Sequence, residues 1–186
     1  MTTYISILRG INVSGQKLIK MADLQKTYEK LGFGNIATYV QSGNVVFTGK
    51  KAAPEKMAAA ITQQIAKDFG FQIPIIVFGM LTLKQIITSN PFINDSEKDI
   101  AYLHVTFLSA QPPKYDVKAI EEKKQSGEAI EFTNAAVYLY CPNGYGKTKL
   151  TNSFLESKLQ VSATTRNWKT TNELVRIAEE ISLLNK

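Results

Sequence analysis

The sequence predicts an α+β protein made of two ferredoxin-like βαββαβ units, arising by duplication, with an extra C-terminal helix. Two observations predict this fold. The order strand, helix, strand, strand, helix, strand can be read twice, from Tyr4 to Phe78 and from Ile100 to Thr165. In addition, 44% of the 186 residues are hydrophobic, which is enough to fill the cores. We therefore predict a first unit over residues 1–79, a linker with a short helix over 80–99, and a second unit plus the C-terminal helix over 100–186.

In the first unit, β-branched and aromatic runs alternate with apolar residues at helical spacing. Gly10 ends the first strand, Gly43 permits a tight turn between the second and third strands, and Pro54 begins the second helix. The predicted elements are strand 4–8, helix 21–31, strand 36–40, strand 45–47, helix 54–69 and strand 73–78.

The linker carries a short helix around residues 83–87, which Asn90-Pro91 would stop. The pattern then restarts, and Leu103, Val105 and Phe107 alternate with polar residues, as in a strand with one buried face. The remaining predicted elements are helix 115–124, strand 129–133, strand 136–141, helix 149–158, strand 162–165 and helix 171–184.

Composition excludes several classes of protein. Lys and Arg total 22 against 16 acidic residues, a net charge of +6 that is spread along the chain and suits either an acidic partner or a solvated surface. The lone cysteine, Cys141, forms no internal disulfide, and the Cys and His spacing fits no zinc site. Without a long apolar segment, we expect a cytoplasmic protein with no membrane span, no metal and no cofactor.

The first candidate site lies where the first strand ends and the third begins, because these are the central antiparallel neighbours of a ferredoxin-like sheet. This arrangement brings Arg9 and Asn12 close to Gln41 and Asn44. A guanidinium group, amides and exposed backbone are suited to hold a carboxylate or phosphate. The alternative is that the amides only cap the loop and Arg9 forms a structural ion pair.

The second candidate site lies at the corresponding edge of the second unit, where Lys147 comes close to Arg166 and Asn167. The sequence Gly146-Lys147-Thr148 is similar to the end of a phosphate loop, but Cys141 stands where that loop requires glycine, so we do not expect an ATPase. A helix N-terminus flanked by Lys147 and Arg166 still suits an anion. The alternative is a tight turn with solvated lysines.

Several other residues carry groups that are capable of chemistry or stacking. Tyr102, His104 and Thr106 are predicted to share a face with Tyr138 and Tyr140, similar in position to the stacking face of RNA-binding folds, and we expect this face to be covered. His104 is the only histidine and is interpreted as structural. Cys141 is interpreted as an inert buried thiol. The acidic residues Asp95, Glu97 and Asp99 are interpreted as a solvated turn.

Several stretches, taken in this order, resemble the bacterial family called domain of unknown function 1697. They are Leu8–Val13, Met21 and Leu24, Leu31–Phe33, Thr38–Phe47 and Ala163–Thr170. Where many members carry Gly-Gly after the first motif, this chain has Ser14-Gly15. The resemblance implies a cytoplasmic α+β protein of duplicated ferredoxin-like character, and it supplies no catalytic residues.

The residues favour a binding protein for an anionic, phosphate-bearing small ligand. Three alternatives stay open: an enzyme acting on a small phosphorylated or nucleotide substrate, a single-stranded nucleic-acid binder on the tyrosine face, and a purely structural or oligomeric module. The sequence assigns neither a catalytic residue nor an oligomeric state.

Overall fold

The first sheet contains four antiparallel strands. A computed structural model describes residues 1–184 of the chain. Its first four strands are β1 (Thr2–Leu8), β2 (Gly34–Tyr39), β3 (Asn44–Gly49) and β4 (Ile75–Gly79). Their order in the sheet is β2-β3-β1-β4, so the first and third strands are central, as predicted.

Two helices pack on one face of this sheet, α1 (Met21–Lys30) and α2 (Pro54–Phe69). Pro54 occupies the first turn of α2, where its missing N–H costs nothing, and Gly70 closes the helix in the left-handed conformation. The core between sheet and helices is apolar, and its members include Tyr4, Leu8, Leu24, Tyr28, Val45, Phe47, Ile61 and Ile65.

Asp68 joins the two helices of the first unit. Its carboxylate accepts hydrogen bonds from Lys30 Nζ (2.8 Å), Thr27 Oγ1 (2.8 Å) and Gln64 Nε2 (3.0 Å). The side chain is only 14% exposed. The hydrogen bond from Lys30, followed by those from the other two donors, lowers the pKa of Asp68 below its ordinary value.

We expect Asp68→Ala to reduce the free energy of unfolding by roughly 1.5 to 3 kcal/mol at neutral pH, the range for hydrogen bonds to a charged group. Because the folded-state pKa is depressed, this contribution is present above the ordinary pKa of 3.8 and is lost as the pH falls through the folded-state value. Urea unfolding of the unaltered protein and of Asp68→Ala, repeated at decreasing pH, should show that the difference between their free energies of unfolding becomes smaller. Asp23→Ala, which removes an exposed pair with Lys26, is the control and should cost less than about 1 kcal/mol.

The second sheet repeats the first. After α3 (Met80–Thr88) and a single 3₁₀ turn at Ile100–Tyr102, its strands are β5 (Leu103–Leu108), β6 (Ala129–Phe132), β7 (Ala136–Tyr140) and β8 (Ala163–Asn167). Their order is β6-β7-β5-β8, and each neighbouring pair is antiparallel. The order matches that of the first sheet strand for strand.

The helices of the second repeat are α4 (Val117–Glu121) and α5 (Asn152–Leu159), and the C-terminal helix is α6 (Trp168–Leu183). The core of this repeat joins Ile120 of α4 and Leu155 of α5 to Val137 and Leu139 of β7. The predicted fold class is thus confirmed: two ferredoxin-like units, related by duplication, and an extra C-terminal helix.

The chain divides into two units, Met1–Lys84 together with the segment from Glu173 onward, and Gln85–Asn172. The predicted units cover residues 1–79 and 100–186, with the whole last helix in the second. In the structure, the described residues of that helix from Glu173 onward group with the first unit. Residues 185 and 186, the end of the predicted second unit, lie outside the described residues.

The register of β5 corrects one prediction about the aromatic face. Residues directly opposite each other in an antiparallel pair project to the same side of the sheet. His104 lies opposite Leu139, whereas Tyr138 lies opposite Val105. His104 and Thr106 therefore project to the side of the helix-packed core, and Tyr138 and Tyr140 project to the other side. The prediction failed because β5 is buried on both faces, so its alternation did not identify the face that carries the helices.

Within residues 1–184, none of the helices combines the length and the apolar character that crossing a bilayer requires.

Candidate functional site

Two loops of the first unit meet at one edge of its sheet. The loop after β1 is residues 9–20, and the turn between β2 and β3 is residues 40–43. The Leu8 N–H donates to the Gly43 carbonyl oxygen at 2.8 Å, so the end of β1 lies beside the start of β3. This is the edge where the sequence places Arg9, Asn12, Gln41 and Asn44.

Asn12 fastens the two loops together. Its Nδ2 donates to the carbonyl oxygens of Ile19 (3.0 Å) and Gln41 (2.9 Å), and its Oδ1 accepts from the Ile19 N–H (2.8 Å). The side chain thus satisfies backbone groups of both loops, which is the structural role that the sequence left open for it.

Backbone strain is concentrated at this edge. Six non-glycine residues of the described chain have positive φ angles, and four of them lie in these two loops: Asn12, Ser14, Lys17 and Val40. Asparagine tolerates this conformation, but Val40, at φ 49°, is β-branched and pays more for it. Such strain persists only where surrounding contacts impose it, and it clusters at binding and active sites.

A cleft of about 550 Å³ opens beside the two loops. The polar residues that line it are Asn12, Lys20, Asp23 and Gln41, and the apolar ones are Leu18, Ile19, Met21 and Phe69. Helix α1 begins here, and Lys20 is its N-cap residue, although the Lys20 side chain makes no capping hydrogen bond. Lys20, Met21 and Asp23 all line the cleft, so the N-terminus of α1, which is the positive end of the helix dipole, lies at it.

The charges at the cleft have opposite signs. Lys20 is exposed, and the Asp23 carboxylate lies in the first turn of α1, 3.2 Å from the Lys26 ammonium group. Because Lys26 partly compensates the Asp23 carboxylate, Lys20 and the start of α1 leave the cleft suited to an anionic group.

The structure separates the predicted residues of this edge into two groups. Asn12 and Gln41 line the cleft, whereas Arg9 and Asn44 are not among the described residues that line it. Asn44 is fully buried, and its Nδ2 donates to the Tyr39 carbonyl oxygen and to Ser42 Oγ. Arg9 is half-buried, and its backbone N–H donates to the Pro74 carbonyl oxygen at 3.0 Å.

Sequence reasoning missed Lys20 and Leu18. Lys20 directly precedes the predicted first residue of α1, and that position was the available signal, because the residue before a helix stands at its positive end. Leu18 carried no signal, since it belongs to neither a periodic segment nor a motif.

At the second edge, Lys147 lies in a 3₁₀ turn, Tyr145–Lys147, and is exposed. Helix α5 begins three residues later than predicted, at Asn152, because Thr151 Oγ1 caps it by accepting from the Phe154 N–H. Lys147 therefore does not flank the first turn of α5, where the sequence placed it.

Arg166 and Asn167 lie at the end of β8. Arg166 Nη1 donates to the Thr165 carbonyl oxygen at 3.0 Å, and burial lowers the pKa of the guanidinium to about 10, so it stays charged at neutral pH. Asn167 Oδ1 accepts from the Thr170 N–H at 2.8 Å and so caps the first turn of α6.

His104 lies at this second edge as well. Its ring stacks on Tyr145 with 4.8 Å between centroids, and its Nδ1 is 3.1 Å from the Tyr102 carbonyl oxygen. A carbonyl only accepts, so Nδ1 carries the proton and donates. Burial lowers the pKa of His104, which keeps the imidazole neutral at neutral pH.

The tyrosines do not form an open stacking face. Tyr138 is 1% exposed, and its hydroxyl donates to the Ile86 carbonyl oxygen at 2.7 Å. Tyr140 is half-buried, and the Lys98 ammonium group lies 5.6 Å from its ring centroid. Tyr102 alone of these tyrosines is exposed, so this surface does not favour nucleic-acid binding.

The thiol and the acidic turn have structural roles. Cys141 is fully buried, as predicted, and burial raises the pKa of its thiol to about 11. Asp95 accepts from the Glu97 N–H and from Lys98, and Asp99 caps the 3₁₀ turn that follows. Residues 1–184 contain no cluster of three or more His, Cys, Asp or Glu side chains placed to hold a metal ion.

A model of the family described as protein of unknown function, DUF1697, matches residues 1–138 of the chain. The chain belongs to the DUF1697 family. The matched range contains the whole cleft of the first unit. The C-terminal stretch Ala163–Thr170 lies beyond it, so that part of the resemblance stays a prediction.

This DUF1697 protein is similar in structure to the conserved bacterial protein SP0830 from Streptococcus pneumoniae. The two chains are 22% identical, with a TM-score of 0.72, and the similarity covers 95% of this chain and 98% of the pneumococcal one. At this level of identity the likeness concerns the fold alone. No curated protein sequence matches the chain.

Proposed function

We propose that the cleft of the first unit binds a small molecule through a carboxylate or phosphate group. One observation carries the proposal: a cleft of about 550 Å³ lies where Lys20, Gln41 and the start of α1 come together. Its volume falls within the roughly 300 to 1,000 Å³ of typical ligand pockets.

Three features support an anionic ligand. The Lys20 ammonium group supplies a positive charge at the cleft, the Gln41 amide supplies donors, and the first turn of α1 supplies N–H groups. The strained backbone of the two loops adds to the argument, because residues held in such conformations are typical of binding sites.

The other predicted residues take different places in this proposal. Asn12 and Asn44 hold the loops in position, and contact of Arg9 with the ligand remains a prediction. A second anion-binding site formed by Lys147, Arg166 and Asn167 also remains a prediction.

The proposal is tested by a thermal-shift screen against nucleotides, sugar phosphates, aryl phosphates and carboxylates, followed by titration of each compound that stabilises the protein. We expect Lys20→Ala to weaken binding by roughly 1.5 to 3 kcal/mol, which is about 10- to 150-fold, because it removes a charged donor. The melting temperature without ligand should not change, since Lys20 is exposed.

Lys51→Ala is the matched control, because Lys51 is an exposed lysine of the same unit and does not line the cleft. It should bind like the unaltered protein. Equal affinities of the Lys20 and Lys51 variants for every compound that binds would refute the proposal.

A further inference from the structure

The cleft is lined by two chemically different sets of residues. Beside the polar set lie Leu18, Met21 and Phe69. Met21 and Phe69 pack against the core of the first unit, and the Phe69 ring lies 6.2 Å from that of Phe71. These two side chains are therefore held in place and form a fixed part of the apolar lining.

The loops around the cleft also expose apolar side chains. Leu18 is 67% exposed, Val13 is 59% exposed and Val40 is 51% exposed. A single exposed apolar residue is ordinary on a protein surface. All three lie on the two loops that the Asn12–Gln41 hydrogen bond joins, but only Leu18 lines the cleft. An exposed apolar side chain in the lining of a cleft is suited to contact a ligand.

We infer that the ligand is amphipathic: an aromatic ring or short acyl chain that covers Leu18 and contacts Met21 and Phe69, joined to the carboxylate or phosphate. The inference rests on the proposed function, since it takes the anionic group to lie at Lys20. Free phosphate or a sugar phosphate would leave the apolar lining in water and would gain nothing from it. A compound with an apolar body gains the free energy of burying that surface.

The test uses two pairs of probes that share an anionic group and differ in the apolar body. Inorganic phosphate is compared with phenyl phosphate, and acetate with 3-phenylpropionate, by isothermal titration of the full chain. We expect the phenyl member of at least one pair to bind about 10-fold more tightly or better, from the apolar area that its ring buries. The pair that binds more tightly identifies the anionic group.

Leu18→Ser should reduce the advantage of the phenyl compound about 5-fold and leave the affinity for the simple anion unchanged, because it removes apolar area but no charge. Leu81→Ser is the matched control: Leu81 is 72% exposed in the same unit and does not line the cleft. Both leucines are exposed, so melting temperatures should stay within a few degrees of the unaltered protein.

Different results separate this inference from the proposed function. If simple anions bind as tightly as phenyl compounds and Lys20→Ala weakens both, the amphipathic ligand is refuted and the anion site stands. An unchanged phenyl advantage in Leu18→Ser likewise refutes the apolar contact. If none of the four probes binds while another compound of the thermal-shift screen binds and depends on Lys20, the amphipathic ligand is refuted and the anion site stands. If no compound of that screen binds either, both the inference and the anion site are refuted.

Discussion

Gly43→Ala is expected to destabilise the protein by roughly 2 to 5 kcal/mol. Gly43 has a φ of +80°, and a side chain in the left-handed conformation costs about 1 to 2 kcal/mol. A Cβ atom at this position would also lie 2.7 Å from the Leu8 Cβ and 2.9 Å from the Ile11 Cδ1. Both neighbours are buried, so relieving the clash requires shifts in a packed core, at about 1 to 3 kcal/mol.

Gly15→Ala separates the cost of the left-handed backbone conformation from the cost of the steric clash. Gly15 has a similar φ of +72° and lies on the neighbouring loop, but apart from its two chain neighbours no residue comes within 4 Å of where its Cβ would stand. It should lose only the conformational part, about 1 to 2 kcal/mol. Urea unfolding followed by circular dichroism measures both variants, and equal losses would show that the clash with Leu8 and Ile11 relaxes freely.

Phe47→Ala is expected to cost roughly 3 to 5 kcal/mol, the range for removing a large aromatic side chain from a core. Phe47 is fully buried in the centre of the first sheet. Its ring lies 4.5 Å from that of Phe33, 5.3 Å from that of Tyr28 and 5.8 Å from that of Tyr4, measured between centroids. The substitution therefore leaves a cavity among three packed rings.

Phe47→Leu keeps most of the apolar volume and should cost only about 1 to 2 kcal/mol. The prediction is tested by comparing the free energies of unfolding of the Phe47→Ala and Phe47→Leu variants, extrapolated to zero urea. An alanine variant no less stable than the leucine variant would mean that the aromatic cluster collapses around the missing ring.

The fold was predictable because strong local signals separate its elements. Pro54 begins α2 and Gly70 ends it where the sequence places them, and the periodic segments between such residues kept their order in both repeats. The strands and helices can thus be predicted without knowledge of long-range contacts. The repeated order of strand, helix, strand, strand, helix and strand then implies the topology of each sheet.

The errors occurred where two signals competed. Alternation along β5 did not reveal which face carries the helices, because both faces of that strand are buried. The sequence predicts that α5 begins at Lys149, whereas in the structure the hydroxyl of Thr151 caps the helix and fixes its start at Asn152.

The candidate site was only partly predictable. Pairing of the central strands brought the two loops together, which places Gln41 near Asn12 from topology alone. The cleft itself depends on Leu18 and Phe69, whose positions follow from the path of an irregular loop and from the docking of α2. Neither is encoded in a local pattern.

The three hydrogen bonds of Asn12 leave that position almost no freedom to vary. Glycine would accept the left-handed backbone but has no side chain to join the loops. Aspartate would accept from the Ile19 N–H but has no donor for the carbonyl oxygens of Ile19 and Gln41. Most other residues would be strained by the φ of 56° at this position. Asparagine alone meets all of these demands, so a lineage that loses it must rebuild both loops at once.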